Sequence, residues 1–173
     1  MPVVFEIDVD PYLQARRARH IQGSIAVAKF ERLVDALQRD EGDVEVDIDF
    51  SSGARGRPQF QLAVKATLSA ECQRCLSDFN FIVSSVKTML VVKDAAAIEN
   101  VPAECEPVLV LEDELLSLMA VIEDELLLSL PAMPKHDDCQ MAVDSNSYDD
   151  GDEEEELEER VNPFAVLSQL KKK

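Results

Sequence analysis

Two stretches of alternating apolar and polar residues constrain the fold of this chain most strongly. The first has apolar side chains at Val44, Val46, Ile48 and Phe50, and the second at Phe60, Leu62, Val64, Ala66 and Leu68. Successive side chains of a β-strand point to opposite faces, so a period of two predicts two half-buried strands. The segment between them, 51–58, contains Gly53 and Gly56. We therefore predict an antiparallel hairpin with an exposed, locally basic turn.

Weaker patterns on either side extend the hairpin into a sheet that helices cover. Alternation predicts a strand over 3–9, a second strand that ends at about residue 25, and further strands over 79–83 and 108–111. Helical spacing predicts a short amphipathic helix with Phe30, Leu33, Val34 and Leu37, ending near Gly42. It also predicts a long amphipathic helix over 113–130 with Leu115, Leu118, Met119, Ile122 and Leu126, which Pro131 ends. The predicted fold class is α+β, an antiparallel, meander-rich sheet packed by one long and one short helix.

The C-terminal third divides into two compositionally different segments. Residues 137–160 lose all periodicity, and 144–159 carry ten carboxylates and no basic residue, so this linker is predicted to be disordered. Asn162 and Pro163 then suit the N-cap and first position of a short helix with Phe164, Leu167 and Leu170 on it. A helix this short is marginal alone, so it is expected to dock on its own domain or on a partner. The predicted organisation is a globular domain over 1–136, an acidic linker over 137–160 and a docking helix over 161–173.

Charge narrows the classes of function. The formal net charge is −18, and residues 1–143 alone hold 25 acidic residues against 13 lysines and arginines. A protein that coats nucleic acid through clustered positive charge is therefore not expected. RNA contact would need a local patch, for which the candidates are Arg16, Arg17, Arg19, Arg55, Arg57 and Arg74, although scattered solvated positions explain these residues more simply.

The amino-acid pattern also bears on location. No apolar run reaches the roughly 18 residues of a membrane span, and the first residues lack the basic-then-apolar layout of a signal peptide. We therefore expect a cytoplasmic protein without a membrane partner. The chain has four cysteines, which in the reducing cytosol do not suggest a disulfide framework.

Cys72 and Cys75 form a CxxC between two predicted strands, and three interpretations stay open. A zinc site needs four N or S ligands, and His136 with Cys139 can supply the second pair. A redox pair prefers a helix N-terminus, which the strand-like flanks do not provide. The third interpretation, in which one cysteine packs as a small apolar residue and the other marks a tight turn, is the leading one at this stage.

The residues of the chain give little indication of a catalytic site. The chain contains two histidines, His20 and His136, and lacks GxSxG, P-loop, GxGxxG and HExxH motifs. The run Glu123, Asp124 and Glu125 is predicted to be the solvated part of the long helix. We expect neither an enzyme nor a small-molecule substrate.

Three separated stretches resemble the bacterial YceD proteins, the large ribosomal RNA subunit accumulation proteins. They are Glu71–Cys75, Val121–Pro131 and Asn162–Lys171, and together they span nearly the whole chain. The resemblance implies a non-enzymatic role in synthesis, processing or stability of large-subunit (23S) ribosomal RNA, with no catalytic residues. It also implies that a cysteine-rich segment after the long helix completes a metal site in many relatives, and here that region is reduced to His136 and Cys139.

These observations lead to one expected function and two alternatives. The expected function is an adaptor in ribosome biogenesis, whose acidic tail holds a basic ribosomal protein or imitates RNA phosphate while Phe164, Leu167 and Leu170 anchor in an apolar groove. The first alternative is direct RNA binding through the arginines. The second is a small structural zinc protein; no cofactor other than zinc is suggested.

Overall fold

A computed structural model describes residues 8–37, 39–111 and 114–141, apart from the side chain of Arg55. The predicted strand residues 3–7, the linker beyond residue 141 and the docking helix lie outside the described residues. All the described residues, including His136 and Cys139, belong to one compact unit. Within the described ranges, no helix is both long and apolar enough to cross a membrane.

The described chain forms seven strands and three α-helices, joined by short 3₁₀ turns. The strands are β1 Asp8–Val9, β2 His20–Ala26, β3 Asp43–Ser52, β4 Pro58–Glu71, β5 Asp78–Val92, β6 Glu106–Leu109 and β7 Leu116–Ser117. The helices are α1 Pro11–Arg16, α2 Glu31–Leu37 and α3 Leu118–Leu128. The fold is α+β, as the sequence predicts.

Five strands form one sheet in the order β2-β3-β4-β5-β6. The predicted hairpin is confirmed, because β3 and β4 pair antiparallel with Val46 opposite Val64. The predicted antiparallel, meander-rich sheet is found from β2 to β5, but at one edge β6 runs parallel to β5 with Met89 opposite Glu106. A parallel neighbour requires a crossover connection, which the chain makes through residues 93–105. β1 and β7 form a separate two-stranded sheet.

The inner face of the sheet carries the core. Alternate residues of β3 and β4 are buried there against apolar residues of α2 and α3; the largest fully buried side chains include Phe30, Leu33, Ile48, Phe60, Leu62, Leu68, Leu118, Ile122 and Leu126. Removing a side chain of this size from water contributes about 2 kcal/mol. The period-two pattern therefore fixes which face of each strand is buried.

Helix α1 is a feature that the sequence interpretation missed. The patterns above predict no helix between the first two strands, yet Asp10 is the N-cap of α1, and its Oδ1 accepts hydrogen bonds from the backbone N–H of Tyr12 at 2.8 Å and of Leu13 at 3.1 Å. Pro11 occupies the first helical position, where a missing N–H costs nothing. The capping signal was present in the sequence.

Helix α3 begins later than predicted, and of its run Glu123, Asp124 and Glu125 only Asp124 is exposed, as predicted for all three. Its N-cap is Ser117, because residues 116–117 pair with β1 instead. Glu123 and Glu125 are buried, and Glu123 Oε1 accepts hydrogen bonds from Arg32 N at 2.8 Å and Leu33 N at 3.2 Å. The Glu123 carboxylate thus satisfies free N–H groups at the start of α2 and ties the two helices together.

Candidate metal centre

The CxxC lies in the turn between β4 and β5, as predicted, and the turn has a defined backbone. Cys72 N donates to Ser77 O at 2.9 Å, and Leu76 N donates to Cys72 O at 2.9 Å. Leu76 closes the turn with φ of +58°, in the left-handed region. This geometry folds the chain back between the two cysteines.

A second segment, which follows α3, returns to this turn. Gln73 N donates to Pro134 O at 2.9 Å. His136 is the next anchor, because its Nε2 is 3.0 Å from Asp78 O and its ring meets the Phe79 ring edge-on at 5.2 Å between centroids. The segment over residues 134–139 is therefore held against the start of β5 by contacts of the backbone and of the histidine.

These two segments bring together the four side chains that the sequence nominates as metal ligands. One ligand atom from each of Cys72, Cys75, His136 and Cys139 lies within 4.8 Å of the others. Cys72 is buried and the other three are partly buried, and all four cysteines of the chain are free. More than 60 residues separate the two pairs in sequence, so only the fold makes them neighbours.

The distances within the cluster suit a zinc ion. Tetrahedral coordination with Zn–S bonds of about 2.3 Å and Zn–N bonds of about 2.0 Å separates two sulfurs by about 3.8 Å and a sulfur from a nitrogen by about 3.5 Å. The Cys72 and Cys139 sulfurs are 3.7 Å apart, and Cys75 Sγ is 3.4 Å from His136 Nδ1. The donor set of three thiolates and one imidazole is one of the common structural zinc sets.

The orientation of the His136 ring also fits ligation. A carbonyl oxygen only accepts, so the proton lies on Nε2, which donates to Asp78 O, and Nδ1 faces the cysteines. A backbone carbonyl that holds the far ring nitrogen in this way is the usual support of a metal-bound histidine. The geometry therefore presents Nδ1 as the ligand atom.

The pKa shifts at Cys72 and His136 favour binding of a cation, whereas burial raises the pKa of the Cys139 thiol. Burial alone would raise the pKa of the Cys72 thiol, but N–H donors from Cys75 and from neighbouring backbone of the cluster outweigh it and lower the pKa to about 5. Hydrogen bonds to the sulfurs of Cys72 and Cys75 raise the pKa of His136. Both shifts favour a thiolate beside a protonated imidazole in the metal-free cluster, and a bound metal ion would take the place of the imidazole proton.

Arg74 lies beside the cluster rather than on an open surface. Its Nε donates to Cys139 Sγ at 2.9 Å, and its Nη2 donates to the carbonyl oxygens of His136 at 2.7 Å and Asp137 at 3.0 Å. A zinc ion held by three thiolates and one imidazole would carry a net charge of −1, which this guanidinium would offset. From the sequence, Arg74 was a candidate for RNA binding. Its position between two cysteines also indicates a second role, because an arginine next to a cysteine stabilises the thiolate.

The structure does not unite the arginine candidates, which are Arg16, Arg17, Arg19, Arg55, Arg57 and Arg74. Arg57 immediately precedes β4 and Arg74 follows its end, and a strand of this length separates them by about 40 Å. Phe50 N donates to Arg19 O at 2.9 Å, which places the connection from α1 to β2 at the Arg57 end. A shared phosphate-binding patch can therefore include the first arginines and Arg57, but not Arg74.

A second group of ligand-type side chains lies on the exposed outer face of the sheet. His20 Nδ1 is 2.7 Å from Asp49 Oδ1 and 3.7 Å from Asp47 Oδ1, and the hydrogen bond to Asp49 raises the pKa of His20. His20 and Asp49 are directly opposite each other on β2 and β3. This arrangement is a cross-strand ion pair, which needs no metal to explain it.

One family model and a relative of known name match this chain over most of its length. The family model described as "Large ribosomal RNA subunit accumulation protein YceD" matches residues 60–171, which contain all four candidate ligands. A protein of Haemophilus influenzae named "Large ribosomal RNA subunit accumulation protein YceD" is 29% identical over 171 residues, which cover 99% of this chain and 98% of the relative. No solved structure shows significant similarity.

Proposed function

Because the chain belongs to the YceD family, we propose that it supports accumulation of large-subunit ribosomal RNA as a non-enzymatic adaptor with a structural zinc centre. The observation that supports the zinc centre is that one ligand atom from each of Cys72, Cys75, His136 and Cys139 lies within 4.8 Å of the others. The family carries the link to ribosomal RNA. Zinc, when bound, supplies a four-coordinate crosslink between the β4–β5 turn and the segment after α3.

The roles of the two histidines support a non-enzymatic function. His136 faces the cysteine cluster, and His20 is exposed and hydrogen-bonded to Asp49. A cysteine and a histidine in contact can also act as nucleophile and base, but here two further thiols complete a closed set of four. Structural zinc sites are closed in this way, whereas catalytic sites keep a position open.

The adaptor hypothesis rests on the charge and pattern of the sequence beyond the described residues. Residues 144–159 carry ten carboxylates, which favour a basic ribosomal protein as partner. In the segment that follows, Asn162, Pro163, Phe164, Leu167 and Leu170 are the residues that we expect to anchor in an apolar groove of that partner.

Deletion of residues 144–173 tests the adaptor hypothesis. We expect the deletion to abolish co-sedimentation of the protein with large-subunit precursors. Two matched variants separate the contributions: Phe164→Ala with Leu167→Ala removes the anchor and keeps the charge, and replacement of the carboxylates of 144–159 by amides does the reverse. Unchanged co-sedimentation after the full deletion would refute the adaptor.

Direct RNA binding is the second candidate function, through the end of the sheet that carries Arg57, which we name the arginine end. The observation in its favour is that the α1–β2 connection and the β3–β4 turn lie at one end of the sheet, which brings Arg16, Arg17, Arg19 and Arg57 to the same region. It predicts RNA affinity that falls steeply with salt and falls further in Arg55→Ala and Arg57→Ala variants. The adaptor predicts weak binding of free RNA and no effect of these substitutions.

A further inference from the structure

A groove of about 830 Å³ lies between α3 and the β5–β6 edge of the sheet, and we name it the acidic groove. It shares no residue with the metal centre. The lining residues used below are Lys87, Glu106, Glu114, Leu115, Val121, Asp124, Glu125, Leu128 and Ser129.

The groove has an apolar surface that the described chain leaves open. Leu128, at the end of α3, is 83% exposed, and Leu115 is 59% exposed. Val121, which also lines the groove, is partly buried and packs on the core. Exposed leucines that line one groove are typical of a surface that a partner covers.

The charge of the groove is strongly one-sided. Its described lining carries four carboxylates and one lysine, and that lysine, Lys87, is 3.3 Å from Glu106. Asp124 pairs with Arg32 at 2.8 Å. Glu114 and Glu125 remain without a lysine or arginine partner among the described residues.

Glu125 is the most informative of these carboxylates. It is only 5% exposed, and its Oε1 accepts hydrogen bonds from the hydroxyl groups of Ser85 and Ser129. Glu123, two residues earlier, is similarly buried but forms an ion pair with Arg32 at 2.7 Å. Buried carboxylates are usually paired with a cation, but among the described residues the Glu125 carboxylate has only these two hydroxyl groups as hydrogen-bond donors.

We infer that the acidic groove binds a basic amphipathic segment of a partner protein, with apolar side chains on Val121 and Leu128 and a lysine or arginine at Glu125. Charge complementarity selects this occupant over an acidic or purely apolar segment. The inference extends the proposed adaptor role by placing a partner surface on the globular domain, and it requires neither zinc nor the tail. Failure of the zinc centre or of the tail hypothesis would therefore leave binding at the acidic groove unaffected.

The probe for this site is a fluorescein-labelled 14-residue amphipathic peptide of leucine and lysine, with a leucine–glutamate peptide as its counterpart. The full chain should bind the lysine peptide saturably and should not bind the glutamate peptide. Glu125→Gln and Leu128→Ser should each weaken binding by about tenfold, because each removes one half of the recognition. Leu128 is exposed, so its replacement leaves the core intact.

The control is Ile82→Ser, which changes a 70% exposed residue on the outer face of the sheet. We expect it to leave peptide affinity unchanged. Equal affinity in wild type, Glu125→Gln and Leu128→Ser would show that the acidic run 144–159 holds the peptide, and this result would overturn the inference. A dimer in wild type that Leu128→Ser dissociates would also overturn it, since a second copy would then cover the groove.

Discussion

Two turns flank β4 and use the same left-handed backbone conformation with different residues. In the β3–β4 turn the residue is Gly56 with φ of +70°, and in the β4–β5 turn it is Leu76 with φ of +58°. Glycine adopts this conformation freely, whereas a residue with a side chain loses about 1–2 kcal/mol in it. The cysteine turn thus has a backbone that its own sequence does not favour.

The contacts around the two turns explain the difference. The glycine turn is closed by its own hydrogen bonds, with Gly53 N donating to Arg57 O at 2.8 Å. The cysteine turn is also tied to a distant segment, through Gln73 N to Pro134 O at 2.9 Å and through the ligand cluster. The glycine turn is therefore held by local contacts, whereas the cysteine turn also depends on contacts with a segment about 60 residues further along the chain.

The largest expected effect is loss of the metal from the cysteine turn. Cys72→Ser removes one of four ligands, and we expect the variant to lose bound zinc and to melt about 10 °C or more below the wild type. Chelator treatment should lower the melting temperature of the wild type to a similar degree and leave that of the variant unchanged. Thermal unfolding followed by circular dichroism measures both.

Cys105→Ser is the matched control, because Cys105 is a free, partly buried cysteine outside the cluster. We expect it to retain zinc and to melt near the wild-type temperature. Equal destabilisation by the two serine substitutions would mean that the cysteine turn has no special dependence on metal.

Arg74→Gln should weaken zinc binding without abolishing it. The guanidinium donates to the Cys139 sulfur and to two carbonyl oxygens of the second segment, so its removal affects support of the ligands and not the ligands themselves. We expect the dissociation constant for zinc to rise about tenfold or more in a competition titration with a chromophoric chelator. Arg57→Gln, at the other turn, should leave it unchanged; an equal rise in both variants would contradict this assignment.

Substitutions at Leu76 and Gly56, the two residues with positive φ in these turns, should change the free energy of unfolding by smaller amounts and in opposite directions. Leu76→Gly should stabilise the metal-free protein by about 1 kcal/mol, because it relieves the backbone cost and removes a side chain that is 58% exposed. Gly56→Ala should destabilise by about 1 kcal/mol, from backbone conformation alone, since no atom lies within 4 Å of the added Cβ. Urea unfolding of both variants tests the pair, and destabilisation by Leu76→Gly would show that the leucine side chain itself holds the turn.

The smallest effect concerns pH at the arginine end. The pKa of His20 is raised by Asp49, so its stabilising contribution is fully present below its ordinary pKa of 6.5 and is lost as pH rises through the raised folded-state pKa. The difference in unfolding free energy between wild type and His20→Gln should therefore be larger at pH 5.5 than at pH 9. A difference that does not change with pH would contradict the ion pair.

The sequence predicted the local elements better than their assembly. Alternation over residues 44–68 predicted the hairpin, and the CxxC turn follows from the strands around it. The parallel direction of β6 was missed, because a strand pattern does not encode the direction of its neighbour. The burial of Glu123 was missed for a related reason: its partner Arg32 lies 91 residues away.

The metal centre shows the same limit. Residue type and spacing alone nominated Cys72, Cys75, His136 and Cys139, but they gave no reason to join the two pairs. That reason lies in the end of α3 and in the contacts of Pro134 and His136 with the cysteine turn. The contact of Arg74 with Cys139 likewise could not be predicted without the fold, because the two residues are 65 positions apart.

Metal content tests most directly whether a metal ion joins the two segments of the cysteine cluster. The full chain, purified without chelator, should contain one zinc ion per molecule by inductively coupled plasma mass spectrometry, and Cys72→Ser purified in parallel should contain none. A wild-type protein that is folded, binds no zinc when zinc is supplied and unfolds identically with and without chelator would contradict the account.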